Sequence, residues 1–339
     1  MRVVSRYIAN KHNAGPKAKV DVERILSKNY GAKIYTNAAK LETKEGFFDK
    51  VNKYLFIRKA LSTDDIVVIQ IPFTNKVKFL NRAKNKIGIV HDIDGLRFND
   101  MKLLGHEVNL LNTFKVLVVH NDKMKKALSD SGVNVPMVTL ELFDYLVDFN
   151  YKKNTKNHNL TKPLTIVYPG NLEYRKAEFL YSLDSKKMKF IINAYGPCFE
   201  ETANKKIIHK GSFSPDILPA KLEGDLGLVW SGKIDSSDES ESEKGYNKYN
   251  APHKLSSFIV AGLPVVVWSK SAVADTVLKY NIGYVIDELY DINNLDLHDY
   301  SIKQKNTLKL ADKITKGYFT NHAFDEALKI MEDDNHEIK

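Results

Sequence analysis

Short apolar runs separated by helical stretches recur along the whole 339-residue chain, and they restrict its fold more than any other feature. In the first half the runs fall at 2–9, 34–35, 65–71 (DIVVIQI), 86–91 (KIGIVH) and 115–120 (KVLVVH). They do not alternate apolar with polar residues, which marks strands covered on both faces and so a parallel sheet. Between them, residues 17–29 place Val20, Val22, Ile25 and Leu26 at helical spacing, with Gly31 as the stop. A second helix is expected at 47–61 through Phe47, Val51, Tyr54, Leu55 and Arg58, and others at 76–83, 101–114 and 122–131.

Around residue 150 this pattern breaks. Residues 151–160 (YKKNTKNHNL) are polar and aperiodic, as in a linker. The alternation then restarts, with strands expected at 164–168, 189–194, 206–209, 226–230, 264–268 and 284–286. Helices are expected at 173–183, 215–222, 252–261 and 272–280, and 302–338 reads as helical. Two such runs around a break predict an α/β chain of two doubly wound domains, 1–150 and 161–315, with a helix at 316–339 that packs back on the first domain. Ligands of such sheets bind beyond the carboxyl ends of the strands, and a cleft between two facing domains is the expected site.

Composition narrows the class. Hydrophobic residues make up 43% and charged residues 27%, which excludes a disordered chain, a collagen-like chain and a coiled-coil rod. The single cysteine, Cys198, excludes a disulfide scaffold and a zinc site built on several thiolates, and fits a reducing cytosol. The first residues carry charge without a long apolar stretch behind them, so no secretory signal is expected. The longest apolar run, 259–268, is interrupted by Pro264 and is about half of the ~20 residues that span a bilayer. Net charge is +9, and it is uneven: 28 basic and 16 acidic residues in 1–160, against 23 and 26 in 161–339. A basic first half attracts anionic lipid headgroups or phosphorylated substrates, or is simply a lysine-rich solvated surface. Residues 47–59 and 76–86 combine basic and apolar faces, as helices lying on a membrane do. No nucleic-acid-binding motif is present.

Five segments carry candidate chemistry. In 249–255 (YNAPHKL), Pro252 suits a first helical turn, Asn250 or its neighbour suits a cap, and the amides of that turn with Lys254 make an anion site suited to a diphosphate. The same residues also read as a capped helix with its lysine in water. In 168–176 (YPGNLEYRK), Gly170 permits close backbone approach before a helix carrying Arg175 and Lys176. In 210–216 (KGSFSPD), Phe213 either stacks on a nucleobase, a contact of ~1–3 kcal/mol, or is a small core aromatic. Residues 91–97 (HDIDGLR) bring His91, Asp92 and Asp94 to a strand end, as a metal-binding pair, as a general base or as loop hydrogen bonding. Residues 10–17 (NKHNAGPK) form the loop after the first strand, with His12 and Gly15. The acidic, serine-rich stretch 232–250 reads as a solvated loop or a lid.

The segments VHDIDGLR, HNDKMK, LELFDYL, YPGNLEYRK, NAYG, KGSFSPDILP, DLGLVWSG and YNAPHKLSSFIVAGLPVVVWSKSAVAD together resemble the bacterial galactofuranosyltransferase-like family, which includes the glucosyltransferase of serine-rich adhesin glycosylation. The resemblance spans about 2–335. It implies a GT-B fold: two Rossmann-like domains facing an interdomain cleft, the N-terminal one for the acceptor and the C-terminal one for a nucleotide sugar. It implies a UDP-hexose donor (galactofuranose or glucose), a glycan, lipid-linked or glycoprotein acceptor, homo-oligomers (dimers or tetramers), and no metal or other cofactor. Apart from the resemblance, the lone cysteine and the basic first half point to the cytoplasm, with peripheral contact at the inner face of the membrane through the basic domain. Carried over, Lys254 corresponds to the phosphate-binding lysine and Phe213 to the uracil-facing aromatic. Arg175 stands at or next to the family's arginine, with the spacing off by one. Gly15, Gly170, Asn171, Tyr195, Gly196, Asn250, Pro252 and His253 complete the candidate nucleotide-sugar set. Asp92 is the first choice of base, followed by Asp94 and His91, in a single inverting displacement inferred from the family's β-linked products. Two other readings stay open: a non-catalytic nucleotide-binding or scaffolding partner, and a metal-dependent GT-A enzyme using Asp92 and Asp94.

Overall fold

The computed structural model describes residues 1–8, 15–39, 47–73, 77–147, 160, 163–234 and 245–337. Among these, the chain forms two compact units. One takes Met1 to Glu141 and resumes at Gly317; the other runs from Leu142 to Lys316.

In the first unit the order is β1 (Arg2–Ile8), α1 (Gly15–Tyr30), β2 (Lys33–Ala39), α2 (Phe47–Leu61), β3 (Val67–Ile71), α3 (Val77–Leu80), β4 (Lys86–Val90), α4 (Asp94–Arg97), α5 (Met101–Leu111), β5 (Val116–Val119), α6 (Asp122–Asp130) and β6 (Met137–Thr139). The strands form one parallel sheet in the order β2-β1-β3-β4-β5-β6. Every residue of β3, β4 and β5 is buried, as their unbroken apolar runs require. Asp100 caps α5 by accepting from the amides of Lys102 and Leu103, and Asn121 caps α6 by accepting from Met124. The sheet reverses its winding between β1 and β3, which is its topological switch point.

The second unit contains β7 (Leu164–Pro169), α7 (Glu178–Ser182), β8 (Phe190–Tyr195), β9 (Ile207–His209), α8 (Leu218–Lys221), β10 (Leu226–Val229), α9 (His253–Ala261), β11 (Val265–Trp268), α10 (Ala274–Tyr280), β12 (Gly283–Ile286) and α11 (Tyr300–Ile314). Its sheet is also parallel, in the order β12-β11-β10-β7-β8-β9, so the switch point lies between β7 and β10. Phe179, Phe190, Trp230 and Trp268 are among its buried core side chains. The last helix, α12 (Tyr318–Glu337), belongs to the first unit. There Tyr30 meets Phe324 edge-on at 4.8 Å and donates to Asp325 Oδ1 at 2.7 Å.

Several expectations need correction. The division falls at Glu141/Leu142 and not at 150, because residues 142–145 are buried within the second unit, where Ser256 Oγ donates to the Phe143 carbonyl at 2.6 Å. Most of the expected linker lies outside the described residues. The helical reading of 302–338 splits into α11 and α12 at Gly317, whose φ of 78° is left-handed backbone that glycine adopts without strain. The helix expected at 76–83 shrinks to α3, since Ala83 already bridges to Thr63. Among the described residues, no helix is long and apolar enough to cross a membrane.

Candidate functional site

At the switch point of the second sheet, the first turn of α9 lies against the residue that follows β10. Pro252 is its N-cap residue, with extended backbone (φ −69°, ψ 136°), and His253 is its first helical residue. Lys254, in that first turn, donates from Nζ to the Trp230 carbonyl at 3.2 Å and holds its ammonium 4.5 Å from the Tyr168 ring centroid. Trp230 directly follows β10 and Tyr168 lies near the end of β7. One full positive charge therefore sits beyond the carboxyl ends of the two strands that flank the switch point. The first-turn amides of a helix have no acceptor within the helix, and its dipole favours an anion there.

Asn250 does not cap this helix, contrary to expectation. Pro252 occupies the cap position, and the Asn250 Oδ1 is buried without a hydrogen-bond partner among the described residues. It lines a small pocket with Trp230, Ser231, Asn247 and Pro252. His253 stacks on Tyr145 (4.7 Å between centroids, 16° between planes), and its Nε2 lies 3.3 Å from the Asp144 carbonyl. The carbonyl only accepts, so Nε2 carries the proton.

The ends of β7 and β8 touch through two glycines. The Gly170 amide donates to the Tyr195 carbonyl at 2.9 Å. Gly196 has φ 143°, and a Cβ there would lie 1.8 Å from the Gly170 carbonyl oxygen. Asn171 accepts from the Glu173 amide at 3.0 Å through Oδ1, closing the turn. Arg175 and Lys176 are exposed in a turn before α7, not on a helix as expected, because α7 starts only at Glu178. Phe213 is half-buried, 6.3 Å from the Tyr195 ring, with Lys221 Nζ at 5.9 Å. Beside it, Ser212 Oγ is a second buried polar atom without a partner among the described residues. Burial pushes the Tyr195 phenol above its ordinary range.

The remaining candidates lie in the first unit. Gly15 opens α1, and His12 lies outside the described residues, as do 235–244 of the acidic stretch. His91 follows β4 directly, and its Nε2 is 2.7 Å from Gln70 Oε1. The next residue, Asp92, accepts from Arg97. Asp94 and Gly95 direct their amides at the Glu107 carboxylate, at 2.9 and 2.8 Å. Burial pushes the Glu107 carboxyl up. Lys19, on α1, donates to the carbonyls of Arg6 and Pro72, and burial lowers its pKa to about 8. Among the described residues, no group of three or more His, Cys, Asp or Glu side chains is arranged to hold a metal.

So Gly170, Asn171, Tyr195, Gly196, Phe213, Asn250, Pro252, His253 and Lys254 share the strand ends of the second sheet, while His91, Asp92 and Asp94 share those of the first. Sequence reasoning missed Trp230, Tyr168 and Ser212. The Trp at the end of the LGLVW run was the one legible signal.

Comparison with known proteins matches both units. The model of the glucosyltransferase 3-like N-terminal domain covers residues 1–142, and that of the C-terminal domain covers 166–327. The chain is 28% identical over 285 residues to the beta-1,6-galactofuranosyltransferase WbbI of Escherichia coli K12, covering 79% of this chain and 81% of that one. It is 24% identical over 286 residues to Glucosyltransferase 3 of Streptococcus parasanguinis, covering 79% and 80%. The crystal structure of Anabaena HepE in complex with UDP is similar in fold, with a TM-score of 0.64 at 13% identity over 97% of this chain and 100% of that one. The fold is GT-B.

Proposed function

The chain belongs to the glucosyltransferase 3-like family, and on that premise we propose that it transfers a hexose from a UDP-sugar to a hydroxyl of a cell-surface glycan, glycolipid or glycoprotein. The observation that carries this reading is the Lys254 ammonium at the β7/β10 switch point, against Trp230 and Tyr168. A diphosphate bound there meets that charge and the amides of the α9 turn, which stabilise it most as it departs. Phe213 then faces the uracil, Gly170 and Gly196 let the backbone approach the donor, and Arg175 adds a second cation. With basic groups and a helix N-terminus taking the leaving charge, the reaction needs no metal. Relatives acting with galactofuranose and with glucose are both on hand, and UDP-galactofuranose and UDP-glucose are the proposed donors.

Transfer in one inverting displacement requires a base for the acceptor hydroxyl, drawn from His91, Asp92 and Asp94. We further propose a homo-oligomer, a dimer or tetramer, and a cytoplasmic protein whose first unit meets an anionic lipid surface. On α2, Val51, Tyr54 and Leu55 are exposed beside exposed Arg58 and Lys59. That combination of apolar stripe and cations suits an interfacial helix. Flotation with phosphatidylglycerol vesicles should carry the protein up, and Leu55→Glu should abolish it. A protein that stays at the bottom of the gradient removes the membrane proposal.

The decisive experiment is a UDP-release screen over UDP-glucose, UDP-galactose, UDP-galactofuranose and UDP-N-acetylglucosamine, with an acceptor extract and with EDTA. Release that survives EDTA supports the reading. UDP binding without release from any donor favours a non-catalytic partner, and release lost in EDTA favours a metal-dependent enzyme.

A further inference from the structure

Across the middle of the second sheet the strands follow one another as β8, β7, β10 and β11. Tyr195 ends β8 and stands 6.3 Å from Phe213, and Lys254 sits between Tyr168 on β7 and Trp230 just after β10. One strand further, between the ends of β10 and β11, is the small pocket that Asn250 lines. Its aromatic walls are Trp230 and Trp268, both buried, with ring centroids 6.4 Å apart, and its polar residues include Ser231, Asn247 and Asn250. The cavity volume is about 10 Å³, room for one water-sized group and far too little for a sugar ring.

These polar residues are held in place without being saturated. Asn247 Nδ2 donates to Ser231 Oγ at 2.6 Å, and the Asn247 backbone carbonyl accepts from the Ala272 amide at 2.8 Å. Ser231 Oγ thus receives one hydrogen and has its own to give. Asn250 Oδ1 is buried and accepts from nothing among the described residues. Ser271, also on the pocket, donates its hydroxyl to the Trp268 carbonyl at 2.6 Å. A proton to give beside an acceptor to fill is the complement of one more hydroxyl group, which donates to a carboxamide oxygen and accepts from a serine.

We infer that Ser231 and Asn250 together read one hydroxyl of the donor hexose and so set which UDP-sugar the protein accepts. The inference rests on the UDP-sugar reading and deepens it. A nucleotide sugar is a chain of base, diphosphate and hexose. The second unit presents an aromatic pair at the end of β8, a cation at the β7/β10 switch point and the hydroxyl pocket at β10/β11, in that same order and at the ~5 Å spacing of neighbouring strands. Trp230 joins the last two, since its carbonyl takes the Lys254 ammonium and the residue also lines the pocket. A site whose buried polar groups pair only with a substrate hydroxyl rejects the analogue that lacks it, whereas an apolar pocket discriminates weakly.

The test is calorimetric binding of UDP, UDP-glucose, UDP-galactofuranose and the singly deoxygenated forms of both sugars to the full chain, to Asn250→Ala and to Ser231→Ala. In the unmodified protein, loss of one particular hydroxyl should weaken the tighter-binding donor about 10- to 100-fold. In Asn250→Ala that penalty should shrink to about 3-fold or less, with UDP alone binding as before, and Ser231→Ala should shrink it at the same hydroxyl. Penalties that persist in both variants, or that shrink at different hydroxyls, overturn the inference. The deoxy series on the unmodified protein needs no variant to fold: if UDP binds and no missing hydroxyl costs more than about 3-fold, the pocket does not read the sugar, while the UDP site stands. If UDP itself does not bind, the UDP-sugar reading fails and the inference falls with it.

Discussion

A methyl group on Gly196 would lie 1.8 Å from the carbonyl oxygen of Gly170, so the two strand-end turns of the second sheet are held at a separation that only hydrogen permits. Gly196 also sits at φ 143°, and its amide donates to the Gly211 carbonyl at 2.9 Å. The turn carrying Gly170 and Asn171, the one carrying Gly196 and the loop leading to Phe213 are thus a single linked surface.

Gly196→Ala should therefore be costly twice over, through the clash and through the backbone it cannot easily adopt. A loss of about 2–4 kcal/mol is expected, read as a lower urea midpoint, with UDP affinity falling as the turns separate. An unchanged midpoint would show that the surface can part without cost.

Lys254→Ala removes the cation at the switch point while Pro252, the cap residue of α9, stays in place. UDP affinity by calorimetry should fall about 100-fold, since truncating one partner of a charge pair costs about 2–5 kcal/mol. Lys254→Arg should recover part of it. Equal affinity in the alanine variant would move the diphosphate elsewhere.

Asn250 offers a separation of stability from binding. Its buried Oδ1 has no partner among the described residues, so Asn250→Ala should leave the melting temperature of the unliganded protein unchanged or slightly raised. Affinity for the UDP-sugar should drop about 10-fold, the worth of about one hydrogen bond. A variant that melts early while binding normally would reverse both assignments.

His120 predicts a pH dependence of the fold. It is fully buried, and desolvation lowers its pKa to about 4, although hydrogen bonds with the backbone of Val90 and His91 pull the other way. An unfolded histidine takes its proton near pH 6.5. Between about 6.5 and 4 the unfolded chain therefore binds a proton that the folded chain refuses. Stability is fully present above 6.5 and is lost as pH falls, by at most about 1.4 kcal/mol per pH unit, and levels off below 4. Urea midpoints against pH should show a shallower slope for His120→Asn than for wild type, since Glu23 and Glu107 are common to both. Parallel slopes would mean that His120 takes its proton in the folded state.

What the sequence determined by itself is what its local periods dictate. Unbroken apolar runs such as KIGIV and PVVVW have one low-energy setting, a parallel strand covered on both faces, and the Pro252–Lys254 turn announces a helix start with its charge. Both follow from interactions a few residues long. Tertiary structure decided the rest, because it depends on which distant residues meet. Sheet order placed Lys254 against Tyr168 and Trp230. The packing of Phe143 and Tyr145 near α9 drew the unit boundary back to Leu142. Gly317 broke one expected helix into two belonging to different units. Gln70 and His91 are twenty-one residues apart. Only the register of β3 on β4 turns them into hydrogen-bonded neighbours, and no local pattern encodes that register.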